Sequence, residues 1–144
     1  MAGAGGFLID TSAVGRMMRP DVIEHWREQT ASGQVGICDV TRLELLRTAR
    51  SGEEFTRMRA GVEALYTWWP IPEKALRRAL DYQERLAEDA GRGALRLVGT
   101  AGLLLAATAA HHGLTLLHYD TDLETLGGLT GLPTRWLAEP GSIP

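Results

Sequence analysis

Four acidic residues stand where acids can act together. Asp10 directly follows the apolar run Phe7-Leu8-Ile9, and Asp120 and Asp122 follow the run from Thr115 to His118. An open parallel sheet binds its ligands beyond the carboxyl ends of its strands. If both runs are strands, three carboxylates point toward one edge of one sheet. Glu44 belongs to a helical stretch after a further apolar run, Val35 to Cys38. At about 100° per residue it lies near Val40 and roughly 100° from Leu43. It therefore borders the apolar face, where an unpaired carboxylate is costly. A shared cation offsets that cost, and an oxygen-only ligand set selects a hard ion, Mg²⁺ or Mn²⁺. Thr11 and Ser12 could hold metal-bound water through their hydroxyls, or merely cap.

Each acid also has a simpler role open to it. Asp10 and Asp120 can be plain helix caps. Asp122 can favour the positive end of a short helix. Glu44 can pair with Arg47 one turn on. Taken together at matching strand ends, the four point to a metal site. Arg42, Arg47, Arg92 and Arg96, with Arg50, Arg57 and Arg59, can guide a phosphate backbone or form a solvated charged face. Trp68 and Trp69 can stack on bases or divide as one core and one interface residue. His111 and His112 are adjacent on a helix and point about 100° apart, with no cysteine near, so a zinc site with His118 is rejected. Cys38 reads as a buried strand residue.

The elements that must place these residues follow from apolar period and punctuation. Strands are expected at 7–9, 35–38, 66–69, 115–118 and 133–137. Helical stretches are expected from Pro20 to Gly33, Val40 to about Arg50, 53–65, Glu73 to Asp89, Thr100 to Gly113 and Asp120 to Leu126. Asp39 or Thr41 is the expected cap of the helix that carries Glu44. Gly91 to Gly99 reads as a loop. Short apolar strands alternating with helices predict an α/β fold with a parallel sheet covered on both faces. The amphipathic stretches 22–32 and 53–65 are expected to leave apolar surface for partners.

At 144 residues with 44% apolar and 23% charged, the chain has the balance of an ordinary globular domain. One domain over 1–144 is expected, with 1–5 as a loose leader. The net charge of −3 argues against a uniformly basic nucleic-acid-coating protein. The single cysteine excludes an intrachain disulfide. The longest apolar run, Ala101 to Ala110, is about half of what a membrane span needs. The expected setting is cytoplasmic, with no membrane partner.

Four stretches, in order and at the right spacing, carry a family resemblance. They are Leu8-Ile9-Asp10-Thr11-Ser12-Ala13, Thr41-Arg42-Leu43-Glu44, Leu103-Leu104-Leu105-Ala106-Ala107-Thr108-Ala109, and Gly113 through Asp122. The set resembles the PIN domains of VapC toxins over nearly the whole chain. The resemblance implies a three-layer α/β/α sandwich around a parallel sheet of four to five strands. It implies a Mg²⁺- or Mn²⁺-dependent endoribonuclease acting on structured RNA such as tRNA, with Asp10, Glu44, Asp120 and Asp122 as the acids. It also implies a VapB-type antitoxin and a homodimer.

One departure stands out. The family carries an aspartate just before its Leu-Leu-Ile-Ala-Ala-type run, and here that position is Gly102. No Asp or Glu occurs from Ala90 to Tyr119, so no neighbour replaces it. Gly102, Ala106 and Ala109 form a small-residue stripe suited to close helix packing. Glycine inside a helix costs about 1 kcal/mol relative to alanine, which argues against packing as the whole reason. The expectation is an impaired active site; the alternative is a non-catalytic scaffold that binds an antitoxin and acts in operator repression.

Overall fold

The computed structural model describes residues 6–89 and 93–144. The expected leader 1–5 and Arg92 fall outside them.

Five short strands form one parallel sheet: β1 (Phe7–Ile9), β2 (Val35–Ile37), β3 (Thr67–Trp68), β4 (Thr115–His118) and β5 (Thr134–Trp136), in the order β3-β2-β1-β4-β5. Parallel neighbours need crossovers, and helices supply them. Between β1 and β2 run α1 (Thr11–Met17), α2 (Pro20–His25) and α3 (Arg27–Ala31). Between β2 and β3 run α4 (Asp39–Leu46) and α5 (Gly52–Leu65). Between β3 and β4 come α6 (Ala75–Asp89), a 3₁₀ turn at Ala94–Arg96 and α7 (Thr100–His112). Helix α8 (Thr121–Thr130) joins β4 to β5. The α/β sandwich with a five-stranded parallel sheet agrees with the sequence reading.

β1 is the central strand. Phe7 lies opposite both Val35 of β2 and Thr115 of β4, and Ile9 opposite Leu117. The chain leaves β1 toward β2 and β3 on one side and returns to β4 and β5 on the other. The strand order therefore reverses between β1 and β4, and a crevice opens there beyond the strand ends. Alternation along the strands sorts the core. Leu8 and Leu116 pack on one face with Leu86, Leu105 and Leu126 from α6, α7 and α8. Phe7, Ile9 and Leu117 pack on the other with Val14, Met17 and Trp26.

Two glycines are required by geometry. Gly113 has a φ of 70° and ends α7 in the left-handed conformation. At Gly36 in β2 a Cβ would lie 2.2 Å from Cδ1 of Trp69, so only glycine lets that ring cross the strand. Trp69 is thereby turned inward, while Trp68 is exposed and donates to Asp39.

Two expectations need correction. Neither Asp39 nor Thr41 caps α4: Cys38 holds the cap position without a side-chain bond, and the helix ends at Leu46, short of Arg50. The Thr41 hydroxyl instead reaches across to β1, donating to the Ile9 carbonyl at 3.1 Å. The stretch 22–32 also leaves little apolar surface. Val22 and Trp26 are buried. The Trp26 indole donates to the Leu137 carbonyl at 2.9 Å, meets Phe7 edge-on and lies under the Arg135 guanidinium. The chain after β4 therefore covers this side itself. The 53–65 stretch behaves as expected, because Val62 is the only buried residue of α5.

Candidate active site at the sheet switch point

Asp10 ends β1 and caps α1. Its Oδ2 accepts the Ser12 N–H at 2.9 Å and the Ser12 hydroxyl at 2.6 Å. The carboxyl is nonetheless buried. Burial pushes it up, the Ser12 bonds pull it back, and the charge on Asp120 adds to the rise. Asp120 follows Tyr119, whose N–H bonds to the same Ser12 hydroxyl that serves Asp10, so the loop after β4 is held beside Asp10. Asp120 caps α8, with Oδ1 accepting the Asp122 N–H at 2.9 Å. Capping and chemistry do not compete here, since a carboxylate offers about four acceptor positions and a cap uses one or two.

Two hydroxyls tie the acids together. Ser12 Oγ donates to Asp10 and accepts the Tyr119 N–H at 2.9 Å, joining the β1 loop to the β4 loop. Thr11 Oγ1 donates to Glu44 Oε1 at 2.5 Å. Glu44 therefore faces the Asp10 loop rather than pairing with Arg47. The bond from Thr41 to Ile9 draws the start of α4 onto the end of β1, which is why Glu44, one turn later, reaches the crevice. The hydroxyls of Thr11 and Ser12 thus donate to acids. Asp122 lies in the first turn of α8 and is half-buried. Among the described residues no three acid, histidine or cysteine side chains already converge as a ligand set.

Gly102 lies in the first turn of α7. A Cβ there would meet Val98 Cγ1 at 2.8 Å and Leu123 Cδ2 at 3.6 Å. Leu123 directly follows Asp122 in α8, so the first turn of α7 packs against the first turn of α8 at this glycine. It also allows Val98, which is buried, to pack against the helix backbone. The small residue therefore has a packing consequence that the sequence alone understated.

The remaining candidates separate. Arg42 is held by Asp39 at 3.3 Å and Glu63 at 3.1 Å. Arg47 and Arg96 are exposed. His112 bonds to the Pro70 carbonyl and packs on Trp69, whereas His118 is buried at the end of β4, so the histidines serve different places. Thr41 and His118 are polar residues the sequence reading did not assign to the site. The one signal for both was a polar side chain in an otherwise apolar setting.

The PIN-domain family model matches residues 7–129. Ribonuclease VapC18 of Mycobacterium tuberculosis is 34% identical over 137 residues, covering 95% of this chain and 98% of that protein. Ribonuclease VapC51 of the same organism is also 34% identical, covering 95% of this chain and 96% of its own length. Among solved structures, DNA-bound VapBC from Salmonella typhimurium aligns with a TM-score of 0.73 at 17% identity, over 96% of this chain and all of the matched chain. FitAcB from Neisseria gonorrhoeae aligns at 0.68, with 18% identity and 89% of this chain covered. The chain belongs to the PIN-domain family, within its VapC branch.

Proposed function

We propose that this chain is the toxin of a VapBC-type toxin–antitoxin pair, built as an endoribonuclease that hydrolyses RNA phosphodiesters. The observation that carries this reading is the junction at the switch point, where Thr11 and Ser12 bind Glu44 and Asp10 next to Asp120. Asp10, Glu44, Asp120 and Asp122 are the catalytic and metal-binding acids. The donor set suits Mg²⁺ or Mn²⁺, since every donor is oxygen and the repulsion between Asp10 and Asp120 calls for a cation. When bound, such an ion activates water and stabilises the leaving oxygen. The chain's own residues hold the acids in place and keep Asp10 away from bulk water. Arg47 and Arg96 are free to meet phosphates, with Arg42 and Arg92 as further candidates. Structured RNA such as tRNA is the substrate class.

Two surfaces fit the partners. A groove of about 450 Å³ between α1 and α5 is lined by Val14, Met18, Met58, Leu65 and Tyr66. It suits the apolar face of a VapB-type antitoxin helix. On α6, Leu76 and Leu80 are 63% and 64% exposed. Basic residues (Arg77, Arg78) stand in the first half of this helix beside them, and acidic ones (Glu84, Glu88) in the second half. A second copy packed antiparallel would set opposite charges against each other, which supports a homodimer.

Gly102 favours a second reading, a scaffold that binds antitoxin and operator without cleaving RNA. The test is RNA cleavage in Mg²⁺ and Mn²⁺ by the chain as it stands, by Gly102→Asp, and by Asp10→Asn in each. The enzyme reading expects cleavage near background that rises with Gly102→Asp and disappears with Asp10→Asn. An inert Gly102→Asp protein that still binds antitoxin selects the scaffold.

A further inference from the structure

Asp120 is held from behind by a histidine. His118, the last residue of β4, is completely buried, with its ring tilted on Trp136 at 4.8 Å between centroids. Its Nδ1 lies 3.1 Å from the backbone N of Asp120, and its Nε2 lies 2.8 Å from Oε1 of Glu124 on α8. That same Oε1 accepts the Thr134 hydroxyl of β5 at 2.6 Å.

The hydrogen-bond pattern assigns the tautomer. A backbone N–H can only donate, so Nδ1 must present its lone pair to Asp120. A neutral imidazole then carries its hydrogen on Nε2 and donates it to Glu124, which has to be a carboxylate acceptor. The Glu124 carboxyl is suited to this. Its Oε1 also takes the Thr134 hydroxyl, so it serves both neighbours as an acceptor. Asp120 is thus fixed at two points: its backbone N–H by His118 and its Oδ1 by the Asp122 N–H.

We propose that His118 is a positioning residue: Glu124 and Thr134 fix its Nε2–H tautomer, and its Nδ1 sets the backbone of Asp120 so that the carboxylate meets Asp10 across the crevice. This rests on the reading of Asp120 as a metal-binding acid. A buried histidine could instead merely satisfy its own ring nitrogens. The two ideas differ in what happens at Asp120 when one nitrogen is replaced and the other imitated.

The experiment uses the full chain, with Mn²⁺ as probe. In His118→Asn the amide oxygen can occupy the place of Nδ1 and accept the Asp120 N–H, while contact with Glu124 is lost. In His118→Gln the amide reaches toward Glu124 and the Asp120 N–H loses its acceptor. Both variants should melt earlier than the parent. Mn²⁺ affinity should stay near the parent's in His118→Asn and fall about 10-fold or more in His118→Gln, the usual consequence of losing a partner that orients a metal ligand. Nitrogen-15 correlation spectra of the unaltered protein should show His118 protonated at Nε2 alone. In Glu124→Gln the proton should stay on Nε2, because the Asp120 N–H still needs the Nδ1 lone pair, but its resonance should shift as a charged acceptor is replaced by a neutral one.

A parent spectrum with hydrogen on Nδ1 overturns the proposal, as does a folded His118→Gln protein that binds Mn²⁺ like the parent. If Asp10→Asn leaves Mn²⁺ binding untouched, the metal reading fails instead. The tautomer spectra then still decide whether His118 is locked against Asp120, so the two failures are distinguishable.

Discussion

The two sides of the crevice are built by different chemistry. On the β1 and β4 side three of the acids are engaged by neighbours: Ser12 links Asp10 to Tyr119, Thr11 holds Glu44, and His118 holds Asp120. On the α7 side the first turn carries no acid: Thr100 is exposed, and Gly102 is backed by Val98 and Leu123. The contrast teaches that losing one acid need not dismantle the others. Asp10, Glu44 and Asp120 are each tied to their own neighbours, and Asp10 and Asp120 each cap a helix. The polar half is a pre-organised set of acceptors, and the apolar half has closed over the place where a further one would stand.

The largest expected effect comes from making the apolar half polar. Gly102→Asp should raise RNA cleavage in Mn²⁺ by about 100-fold or more, the scale on which small misplacements of reacting groups act. The structure adds a condition. The new Cβ lies 2.8 Å from Val98 Cγ1, so the valine must turn away. The single variant should therefore melt earlier than the parent, and Gly102→Asp with Val98→Ala should be the more active protein. Equal activity in all three, measured on one structured RNA, would show that this side of the crevice takes no part.

Breaking the polar half is the next largest. Thr11→Val removes the hydroxyl that holds Glu44 while keeping the side-chain shape. Mn²⁺ affinity should drop about 10-fold, and Thr11→Ser should restore most of it. Titration of the three proteins checks this. Unchanged affinity in Thr11→Val would place Glu44 outside the ion's reach.

What the sequence made legible follows from range. β1, β2 and β4 were legible because each is a short, mostly apolar run followed within two residues by an aspartate, whereas β3 and β5 are shorter or more polar and rest on their place in the alternation. Asp10 and Asp120 were placed by that ending alone. Glu44 was placed by helical phase. The cap of α4 was not legible, because Thr41 bonds to Ile9, 32 residues earlier, and local capping rules have no view of such a partner. The 22–32 stretch was misjudged for the same reason, since Trp26 is covered by Arg135 and Leu137 from the far end of the chain. The packing of Val98 on Gly102 lies just beyond what helical spacing within α7 reveals.

A smaller effect separates the site from the surface beside it. α5 buries only Val62, so Met58 in the α1–α5 groove contributes little to folding. Met58→Ala should cost about 1 kcal/mol of stability, whereas Trp26→Ala, which empties a fully buried indole site, should cost about 3 kcal/mol or more. Affinity for the antitoxin should move the other way and weaken about 10-fold in Met58→Ala, as for an anchor residue at an interface. RNA cleavage by the Gly102→Asp protein should be unaffected by the Met58 change. Denaturant melts and antitoxin titrations measure the two quantities. A Met58→Ala protein that binds antitoxin like the parent would remove this groove from the interface.

The smallest effect is a matter of charge alone. The Asp10 carboxyl is raised above its ordinary 3.8, first by burial and further by Asp120. The native state therefore holds that proton to a higher pH than the unfolded chain does, and ionising Asp10 destabilises the fold. The destabilisation is absent below the ordinary value, grows as pH rises through the folded one and is complete above it. Asp10→Asn keeps an oxygen for the Ser12 donors and removes the charge. Its melting temperature should exceed the parent's at neutral pH, and the two should converge as the pH falls toward the ordinary aspartate range. Mn²⁺ should reverse the order at neutral pH, because a ligand that binds only the native acid form of the site raises the parent's stability and not the variant's. An Asp10→Asn protein that melts below the parent at neutral pH without metal would mean that the cap, and not the buried charge, dominates at this position.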